Sequence, residues 1–507
     1  MTQSNDKPKK NWDELWLETY MPQLPIELNN EKESKRRGTR TVPGTRSSEG
    51  EAGRHPRTMT GPKASADTTQ REDFEPPTVQ SQLDRIATQA RQYPEMAFTT
   101  LAHLMDVAML EHAFHRLNPQ SAPGVDRVTW RKYQRNLTTN LEELHQKLVN
   151  QTYEPQPVRR QQIPKGKGKF RSLGIPAMED KIAAKAVQLL LEQIYEQDFS
   201  SSSYGFRPGR SCHDALRDLR QGLLRMGVSH VIDCDISAFF DNIQHKQLLA
   251  IVKKRVKDGA ILRLIKLWLK AGIMDGRELV FPTKGSPQGS VISPLLANIY
   301  LHEVLDQWIE HDVSQNCRGQ VLLIRYADDF IIGCSHPADV ARLQSILPGR
   351  FAKYGLTIHP EKTQVVGFKR PPRRPTGPPD DPPGTFTFLG FTHFWAGTKK
   401  GNTTLKRKVQ ASRLARFCAS IWQWCRSNRH RCLRTQFATL CSKLRGAYQY
   451  YGLPCNWDCL DRLRYATIRA WRYWLNRRGG RAMTWKQFSK IMESFVLPIP
   501  KITQPNV

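Results

Sequence analysis

Apolar residues follow helical spacing in some stretches of the chain and form strand-like runs in others. From about residue 81, Leu83, Ile86 and Ala90 recur at the spacing of one helix face. Residues 231–240 and 321–334 are short apolar runs interrupted by acids, as in strands that carry a polar site. The pattern predicts mixed helices and strands up to about residue 368 and mainly helices after residue 400.

The first eighty residues lack the pattern of a folded domain. Trp12, Leu15 and Trp16 predict one short helix over residues 11–20. Residues 31–73 are rich in Arg, Thr, Gly, Ser and Pro and have almost no large apolar side chains. Because this composition cannot bury enough surface to offset chain entropy, we expect residues 1–80 to be a largely disordered extension.

Proline marks a second break in the pattern. Residues 369–384 contain seven prolines and two Asp residues, a composition typical of a loop. The folded part is therefore predicted as two domains. The first covers residues 81–395 and contains this insert, and the second covers residues 396–507 and is α-helical.

Basic residues dominate the charge of the chain, with 77 Lys+Arg against 47 Asp+Glu and a formal net charge of +30. This excess indicates a polyanionic partner, either nucleic acid or an anionic membrane surface. Residues 401–507 hold 21 Lys+Arg and three acids, so the partner should dock mainly there. No run of about 18 apolar residues and no signal peptide occurs, so we expect a cytoplasmic protein without membrane contact.

The ten cysteines include no CxxC pair. In a reducing compartment we expect them to be free thiols. Zinc ligation by Cys455 and Cys459 together with His430 stays open, although no second closely spaced ligand pair accompanies them.

Candidate chemistry lies on two acidic strands. Asp328 and Asp329 interrupt the apolar run VLLIRYADDFIIGC, which predicts a β-hairpin with an acidic tip. Adjacent carboxylates resist joint ionisation, and a hard cation such as Mg²⁺ would relieve that cost. A solvated acidic turn is the alternative interpretation of this hairpin taken alone.

The second strand, VIDCDISAFF, carries Asp233 and Asp235 at positions i and i+2, which share one face. Two strands that each present a carboxylate can converge on a pair of metal ions. Two ions about 4 Å apart can activate a 3′-hydroxyl and stabilise a leaving pyrophosphate.

At these residues the chain resembles the reverse transcriptases encoded by group II introns. The tetrapeptide Tyr326–Asp329 is similar to their YxDD signature, and the segment DISAFFDNI, which begins at Asp235, resembles their first palm motif. The resemblance implies that two Mg²⁺ ions are held by Asp235, Asp328 and the backbone carbonyl of Ile236. Asp329 would then be the second acid of the pair, and Asp233 would be structural.

Further blocks resemble the nucleotide-binding parts of the same family. The resemblance implies that Phe240 is an aromatic steric gate that excludes the 2′-hydroxyl of NTPs, although Phe240 could equally belong to the core. It implies that Lys165 and Arg171, in the basic segment IPKGKGKFRSLGIP, hold the triphosphate of a dNTP. It also implies that Gln288, in GSPQG, contacts nucleotide and template, and that Lys362, in EKT, lies near the pyrophosphate.

The remaining blocks point to nucleic acid. Phe388–Phe391 resembles the primer-grip hairpin. Arg207 and Arg210, in YGFRPGR, would contact template or phosphate, although surface arginines are often only solvated. The basic tail, with Arg445 in LRGAYQYYGLPCN and the pair Arg477 and Arg478 in WRYWLNRRGGR, resembles a thumb and maturase domain that binds intron RNA. An amphipathic bundle with a solvated basic face is the alternative for this tail.

The resemblance implies an α+β right-hand polymerase, with fingers and an antiparallel palm sheet followed by an α-helical thumb and maturase domain. Its expected function is RNA-directed DNA polymerisation with an RNA template, a DNA primer and dNTPs, together with binding of a group II intron RNA to support splicing and mobility. Ser237-Ala238 and Ser290 depart from common family residues without touching the acids, and the end at Val507 leaves no room for an HNH endonuclease. A splicing-only maturase and a domesticated reverse transcriptase in defence or repair are the alternatives.

Overall fold

The computed structural model describes residues 78–507 except 167–168, 276–277, 282, 286–288, 373–382, 399–400 and 480–481, and it leaves out the side chains of residues 165, 166 and 169. The predicted helix over residues 11–20 and the predicted disorder of the extension lie outside the described residues, as does most of the proline-rich insert. The helical spacing predicted from residue 81 is confirmed by helix α1, Val79–Gln92, which buries Leu83, Ile86 and Ala90.

The N-terminal helices pack around one long buried helix. These helices are α2 Val107–His115, α3 Trp130–Gln134, α4 Leu137–Val149 and α5 Met178–Asp198. Helix α5 is the central one, since thirteen of its 21 residues are buried. Residues 158–280 add a four-stranded sheet made of β1 Val158–Gly166, β2 Lys169–Ile175, β4 Ile273–Asp275 and β5 Glu278–Val280, in the order β2-β1-β4-β5.

The central sheet carries both acidic strands. Its strands are β3 His230–Asp235, β6 Val321–Tyr326, β7 Asp329–Cys334 and β8 Gln364–Gly367. They are ordered β6-β7-β3-β8, and every neighbouring pair is antiparallel. The predicted acidic hairpin is therefore confirmed, and strand β3 lies directly against it.

Helices cover the central sheet and join it to the N-terminal helices in one apolar core. These are α6 Cys212–Arg225, α7 Phe239–Asn242, α8 His245–Arg255, α9 Gly259–Lys270, α10 Ser293–Leu301 and α11 Pro337–Lys353. Helix α10 continues into two π-helical segments, His302–Asp306 and Trp308–Val313. We have no physical account of why this stretch is π-helical.

The C-terminal part begins with a strand, which the prediction of a helical domain from residue 396 missed. A three-stranded sheet has the order β11-β10-β9, with β9 Phe386–Phe388, β10 Phe391–Gly397 and β11 Thr403–Val409. Strand β11 forms because Leu405, Arg407 and Val409 alternate into the interior while pairing with β10. This sheet therefore crosses the predicted domain boundary.

Four helices follow, and they agree with the predicted helical tail. They are α12 Ala411–Asn428, α13 Leu433–Tyr451, α14 Trp457–Leu475 and α15 Trp485–Ser494. A second core joins α6, the central sheet and the three-stranded sheet, and includes Leu219, Val231 and Phe388. Across the described part of the chain, every helix is too short or too polar to cross a membrane.

Candidate active site

Strand register brings the acids of the two strands together. Asp235, the last residue of β3, is paired directly with Asp329, the first residue of β7. Cross-strand partners in an antiparallel pair point to the same face, so these carboxylates share a face with Asp233 two residues earlier. Asp328 lies in the turn between β6 and β7, beside Asp329. The structure therefore brings all four acids to one end of the central sheet.

Mutual repulsion and burial disturb the titration of these acids. Burial, reinforced by the charges of Asp233, Asp328 and Asp235, raises the pKa of Asp329 to about 7. Burial also raises the pKa of Asp233 to about 7, with a further contribution from Asp235. Such a group of carboxylates gains from a nearby cation, which is the electrostatic condition for binding a divalent ion.

A lysine already supplies one positive charge at this site. The Lys362 ammonium forms an ion pair with the Asp235 carboxylate. The backbone holds this lysine in place, because the His359 N–H donates to the Asp235 carbonyl at 2.8 Å and the Ser237 N–H donates to the Thr357 carbonyl at 2.8 Å. Residues 357–359 thus add an edge to the end of β3.

An open cavity of about 600 Å³ lies against the acids. Its lining includes several residues that the sequence singled out, namely Arg171, Asp235, Ile236, Phe240, Asp328 and Lys362. Phe240 is 8% exposed, so it packs into the core with one part of the ring at the cavity wall. The cavity is lined by both basic groups and acids, which suits a phosphate-bearing ligand bridged by cations.

The cavity also contains residues that the sequence analysis did not single out. Arg160, Phe170 and His359 line it together with Ser172. Arg160 is held by Asp275, at 2.7 Å, and by the Ser172 hydroxyl, at 3.1 Å. A signal was available in the sequence, because Arg160 lies three residues before the basic segment IPKGKGKFRSLGIP.

A second cavity, of about 460 Å³, is open to Asp329. It is lined by Asp329, by Leu389 and Gly390 of the β9–β10 turn, and by residues of α12 and α13, including Arg413 and Tyr450. The Tyr450 hydroxyl donates to the Leu389 carbonyl at 2.9 Å, so helix α13 fixes the turn. The hairpin predicted at Phe388–Phe391 therefore faces the acids across an open space.

Two predicted nucleotide contacts fall where the structure gives no description. The side chain of Lys165 and the whole of Gln288 lie outside the described residues. Their neighbours Arg171 and Gly289 are described, and the Gly289 backbone, with φ of 114°, lies close to Gly174. A Cβ on Gly289 would lie 2.7 Å from the Gly174 carbonyl oxygen, so this approach requires glycine.

Arg207, which was predicted to contact template or phosphate, is bound instead by other residues of the chain. Its guanidinium is buried and binds Glu196 through Nε and Nη2, at 3.0–3.2 Å. Its remaining nitrogen donates to the carbonyls of Ser200 and Ser203. Residues of the same chain therefore occupy the donor groups of this guanidinium, and the arginine stabilises the loop after α5. Arg210 is partly exposed, donates to the Ser201 carbonyl at 2.7 Å and covers the Tyr204 ring.

The predicted basic residues of the tail have different surroundings. Arg477 is exposed and lies 3.4 Å from the centre of the Tyr473 ring. Arg445 is exposed on α13. Arg478 is turned inward instead and donates to the carbonyls of Arg429 and Arg431, which closes the end of α12. Trp422, Tyr473 and Trp474 cluster beside Arg477, with ring centres 4.6–5.6 Å apart.

Within the described residues, no three His, Cys, Asp or Glu side chains form a ready-made metal cage. The acids nevertheless fit Mg²⁺, which binds one or two carboxylates together with substrate phosphates. The raised pKa of Asp329 and the ammonium ion paired with Asp235 both indicate a site that attracts cations. A nucleotide phosphate and a backbone carbonyl would supply the other oxygen ligands.

Comparison with known proteins points to one family. A family model described as "Reverse transcriptase (RNA-dependent DNA polymerase)" matches residues 163–393. Protein YkfC of Escherichia coli K12 is 36% identical over 280 residues, which cover 49% of this chain and 74% of YkfC. The group II intron-encoded protein LtrA of Lactococcus lactis is 43% identical over 170 residues.

The match to LtrA covers 33% of this chain and 28% of LtrA. A protein encoded in the cob intron of Schizosaccharomyces pombe is 39% identical over 175 residues, which cover 34% of this chain and 21% of that protein. Two of these relatives are thus matched over less than a third of their length, whereas YkfC is matched over most of it.

Proposed function

Because this chain belongs to the family of group II intron-encoded reverse transcriptases and maturases, we propose that its RNA-directed DNA polymerase activity is performed at the acids of β3 and β7. The observation that carries this assignment is the register of Asp235 opposite Asp329, with Asp328 lining a cavity that Arg171 and Lys362 also line. The substrates are a DNA primer, an RNA template and dNTPs.

Asp235 and Asp328, the Ile236 carbonyl and Asp329 would hold two Mg²⁺ ions. When bound, the ions make the primer 3′-hydroxyl a better nucleophile and offset the charge on the leaving pyrophosphate. The protein's own contribution is to hold the carboxylates on two paired strands, so that little reorganisation is needed when the nucleotide enters.

Cationic side chains receive the triphosphate. Arg171 and Arg160 come from the sheet of β1 and β2 and line the same cavity as the acids. Guanidinium groups suit phosphate because their N–H fork matches two oxygens. Lys362 is already directed at Asp235, and a protonated amine in this position can donate its proton to the leaving pyrophosphate.

Phe240 selects the sugar of the nucleotide. Its ring forms part of the cavity wall beside Asp235. A bulky aromatic there leaves room for a deoxyribose and would collide with a 2′-hydroxyl. The enzyme therefore incorporates dNTPs in preference to NTPs.

We assign the chain from residue 81 through the three-stranded sheet, which ends at Val409, to fingers and palm, with the central sheet as the palm, and the helices from α12 onward to the thumb and maturase domain. The second cavity lies between the palm acids and α12–α13, where the end of a primer would reach the acids. All ten cysteines are unbridged, which suits a protein of the cytoplasm.

The maturase role rests on the helical tail, which carries 21 Lys+Arg and three acids over residues 401–507. Exposed Arg445 and Arg477 are available to phosphates, and Arg477 with Tyr473 offers a stacking surface for unpaired bases. The proposed partner is a structured group II intron RNA, whose splicing and mobility the protein supports.

Primer extension tests the proposed function. Purified protein is given a DNA primer on an RNA template with Mg²⁺ and dNTPs, beside a variant that carries both Asp328→Ala and Asp329→Ala. Extension by the parent and none by the variant supports the assignment. If neither extends the primer while both bind intron RNA tightly, a splicing-only maturase replaces it.

A further inference from the structure

The turn that carries the catalytic acids is held in an unfavourable backbone conformation. Ala327, between Tyr326 and Asp328, has φ of 59°, in the left-handed region that alanine rarely adopts. Such a conformation persists only where the surrounding structure holds it in place. Something around the turn must therefore fix it.

One side of the turn is fixed by a backbone strip. Near its C-terminal end, strand β6 pairs with residues 202–204. The Arg325 N–H donates to the Ser202 carbonyl at 2.8 Å, and the Tyr204 N–H donates to the Arg325 carbonyl at 2.9 Å. Gly205 then presses on the turn. A Cβ on Gly205 would lie 2.4 Å from the Ala327 nitrogen, so only glycine allows this contact.

The other side is fixed by the side chain of Arg325, which is fully buried. Its Nε donates to Asp306 Oδ1 at 2.7 Å, and its Nη2 donates to Asp306 Oδ2 at 2.5 Å. Its Nη1 donates to Asn298 Oδ1 at 2.9 Å and to the Ala327 carbonyl at 3.2 Å. The guanidinium thus reaches the peptide that leads directly into Asp328.

Asn298 links the two sides. While its amide oxygen accepts from Arg325, its Nδ2 donates to the Gly205 carbonyl at 2.7 Å. Asn298 and Asp306 are themselves 1% and 0% exposed, on α10 and the π-helical segment that follows it. Burial raises the pKa of the Asp306 carboxyl, but the charges and hydrogen bonds of Arg325 and His302 together outweigh it and hold that pKa below its usual value, so the pair stays ionised.

We propose that Arg325, Asp306 and Asn298 are positioning residues that hold the strained turn, and with it Asp328, in the geometry used for polymerisation. A buried ion pair is weak evidence for a role in stability alone, because its desolvation offsets its attraction. Here the hydrogen bonds of Arg325 and Asn298 end on the carbonyl of Ala327 and on the carbonyl of Gly205, which packs against the turn. This inference rests on the proposed function of Asp328.

Arg325→Lys keeps the charge but loses the fork that reaches Ala327, and Asn298→Ala removes only a neutral amide. A matched control is Arg255→Lys. Arg255 is also buried, binds Asp198 at 2.7 and 3.1 Å, and contacts backbone carbonyls far along the chain from the turn. Each full-length variant is compared with the parent by hydrogen–deuterium exchange of peptides covering residues 323–332, and by kcat and KM for dTTP on poly(rA) primed with oligo(dT).

In Arg325→Lys we expect faster hydrogen exchange at residues 326–329. We also expect kcat to be reduced by about tenfold or more with KM nearly unchanged, because a displaced Asp328 weakens stabilisation of the transition state rather than binding of the nucleotide. Asn298→Ala should show a smaller change of the same kind. Arg255→Lys should lower thermal stability while leaving kcat and exchange of the turn at parental values.

The proposal is overturned if exchange of the turn stays parental in the folded variants, or if Arg255→Lys lowers kcat as much as Arg325→Lys does. Should Arg325→Lys not fold, Asn298→Ala decides by the same two measurements. An inactive parent would refute the proposed function, and exchange of the turn would still decide whether the network positions it.

Discussion

Phe240 illustrates how one side chain can serve both the core and the site. Its ring packs against Phe239 at 5.3 Å between ring centres and still lines the nucleotide cavity. From the sequence alone, core and gate were equally open interpretations, and the structure allows both together. Discrimination between sugars is the property that separates them.

Replacing Phe240 by Ala should relax sugar selection. Opening the wall of the cavity leaves space for a 2′-hydroxyl, so the ratio of kcat/KM for dNTP over NTP should fall by about tenfold or more, equivalent to about 1.4 kcal/mol. Single-nucleotide incorporation measures both values. Phe351→Leu, in the core beneath β7, is the control and should reduce stability without altering the ratio. An unchanged ratio in Phe240→Ala would show that the ring is only core.

Lys362→Leu should slow the chemical step, because the ammonium beside Asp235 would no longer donate a proton to the pyrophosphate. General acid catalysis contributes about 10²-fold or more, so we expect kcat to fall by about that factor. Lys362→Arg should recover part of the charge effect and little of the proton transfer. Rapid-quench kinetics measure the step, and a kcat within twofold of the parent in Lys362→Leu would rule this role out.

At the scale of elements, the two acidic strands could be predicted because their signals are local. The acids at i and i+2 lie within the ten-residue apolar run 231–240, and the acidic pair at the hairpin tip lies within the fourteen-residue apolar run 321–334. Arg207 and Arg325 were not predictable in this way. Whether an arginine is exposed or buried depends on partners elsewhere, here Glu196 on α5 and Asp306 after α10.

Strand β11 shows the same limit in a different form. Three of its last four residues, from Lys406 to Val409, are basic, and the residue pattern after residue 400 predicted mainly helices. Pairing with β10 decides its conformation, which only the folded chain reveals. The sheet it completes also buries His393, which no motif indicated.

His393 should make the three-stranded sheet sensitive to acid. It is fully buried, and neither ring nitrogen has a hydrogen-bond partner among the residues that the structure describes. Burial, with a contribution from Arg407, lowers its pKa from 6.5 to about 3. Below pH 6.5 the unfolded chain therefore takes up a proton at this histidine that the folded chain does not. The free energy of unfolding is unaffected by this histidine above pH 6.5 and decreases as the pH falls from 6.5 towards 3. The loss approaches about 1.4 kcal/mol per pH unit in that window.

Urea unfolding at pH 7.0 and pH 5.5 measures this effect against His393→Leu, which cannot titrate. We expect the parent to lose more stability than the variant over this interval. Equal losses in the two proteins would mean that His393 is protonated in the folded state or exposed to water.

At the scale of the whole molecule, charge and chemistry are placed in different parts. The carboxylates lie at one end of the central sheet, whereas 401–507 contributes 21 of the 77 Lys+Arg with only three acids. This separation fits a protein that copies nucleic acid at one site and binds RNA over a wider surface. It was predictable in outline, because net charge is a property of composition and needs no fold.

RNA binding should weaken steeply with salt, since each phosphate contact releases counterions. Arg445→Gln with Arg477→Gln should reduce the slope of log K against log[salt] by about one to two. Lys253→Gln with Lys353→Gln removes the same charge from the exposed surface of α8 and α11 and should change the slope less. Filter binding over a series of salt concentrations gives the slope for the parent and for both double variants. Equal slopes in the two double variants would contradict a localised RNA-binding surface.

The assignment of the catalytic acids depends most directly on which aspartate of β3 acts at the site. Asp233 and Asp235 share a strand and a face, and only Asp235 lines the nucleotide cavity and pairs with Asp329. Primer extension on an RNA template, with Asp235→Asn and Asp233→Asn compared at equal folded concentration, separates them. We predict that the Asp235→Asn variant does not extend the primer and that the Asp233→Asn variant does. Extension by Asp235→Asn at the parental rate would contradict the assignment of the catalytic acids.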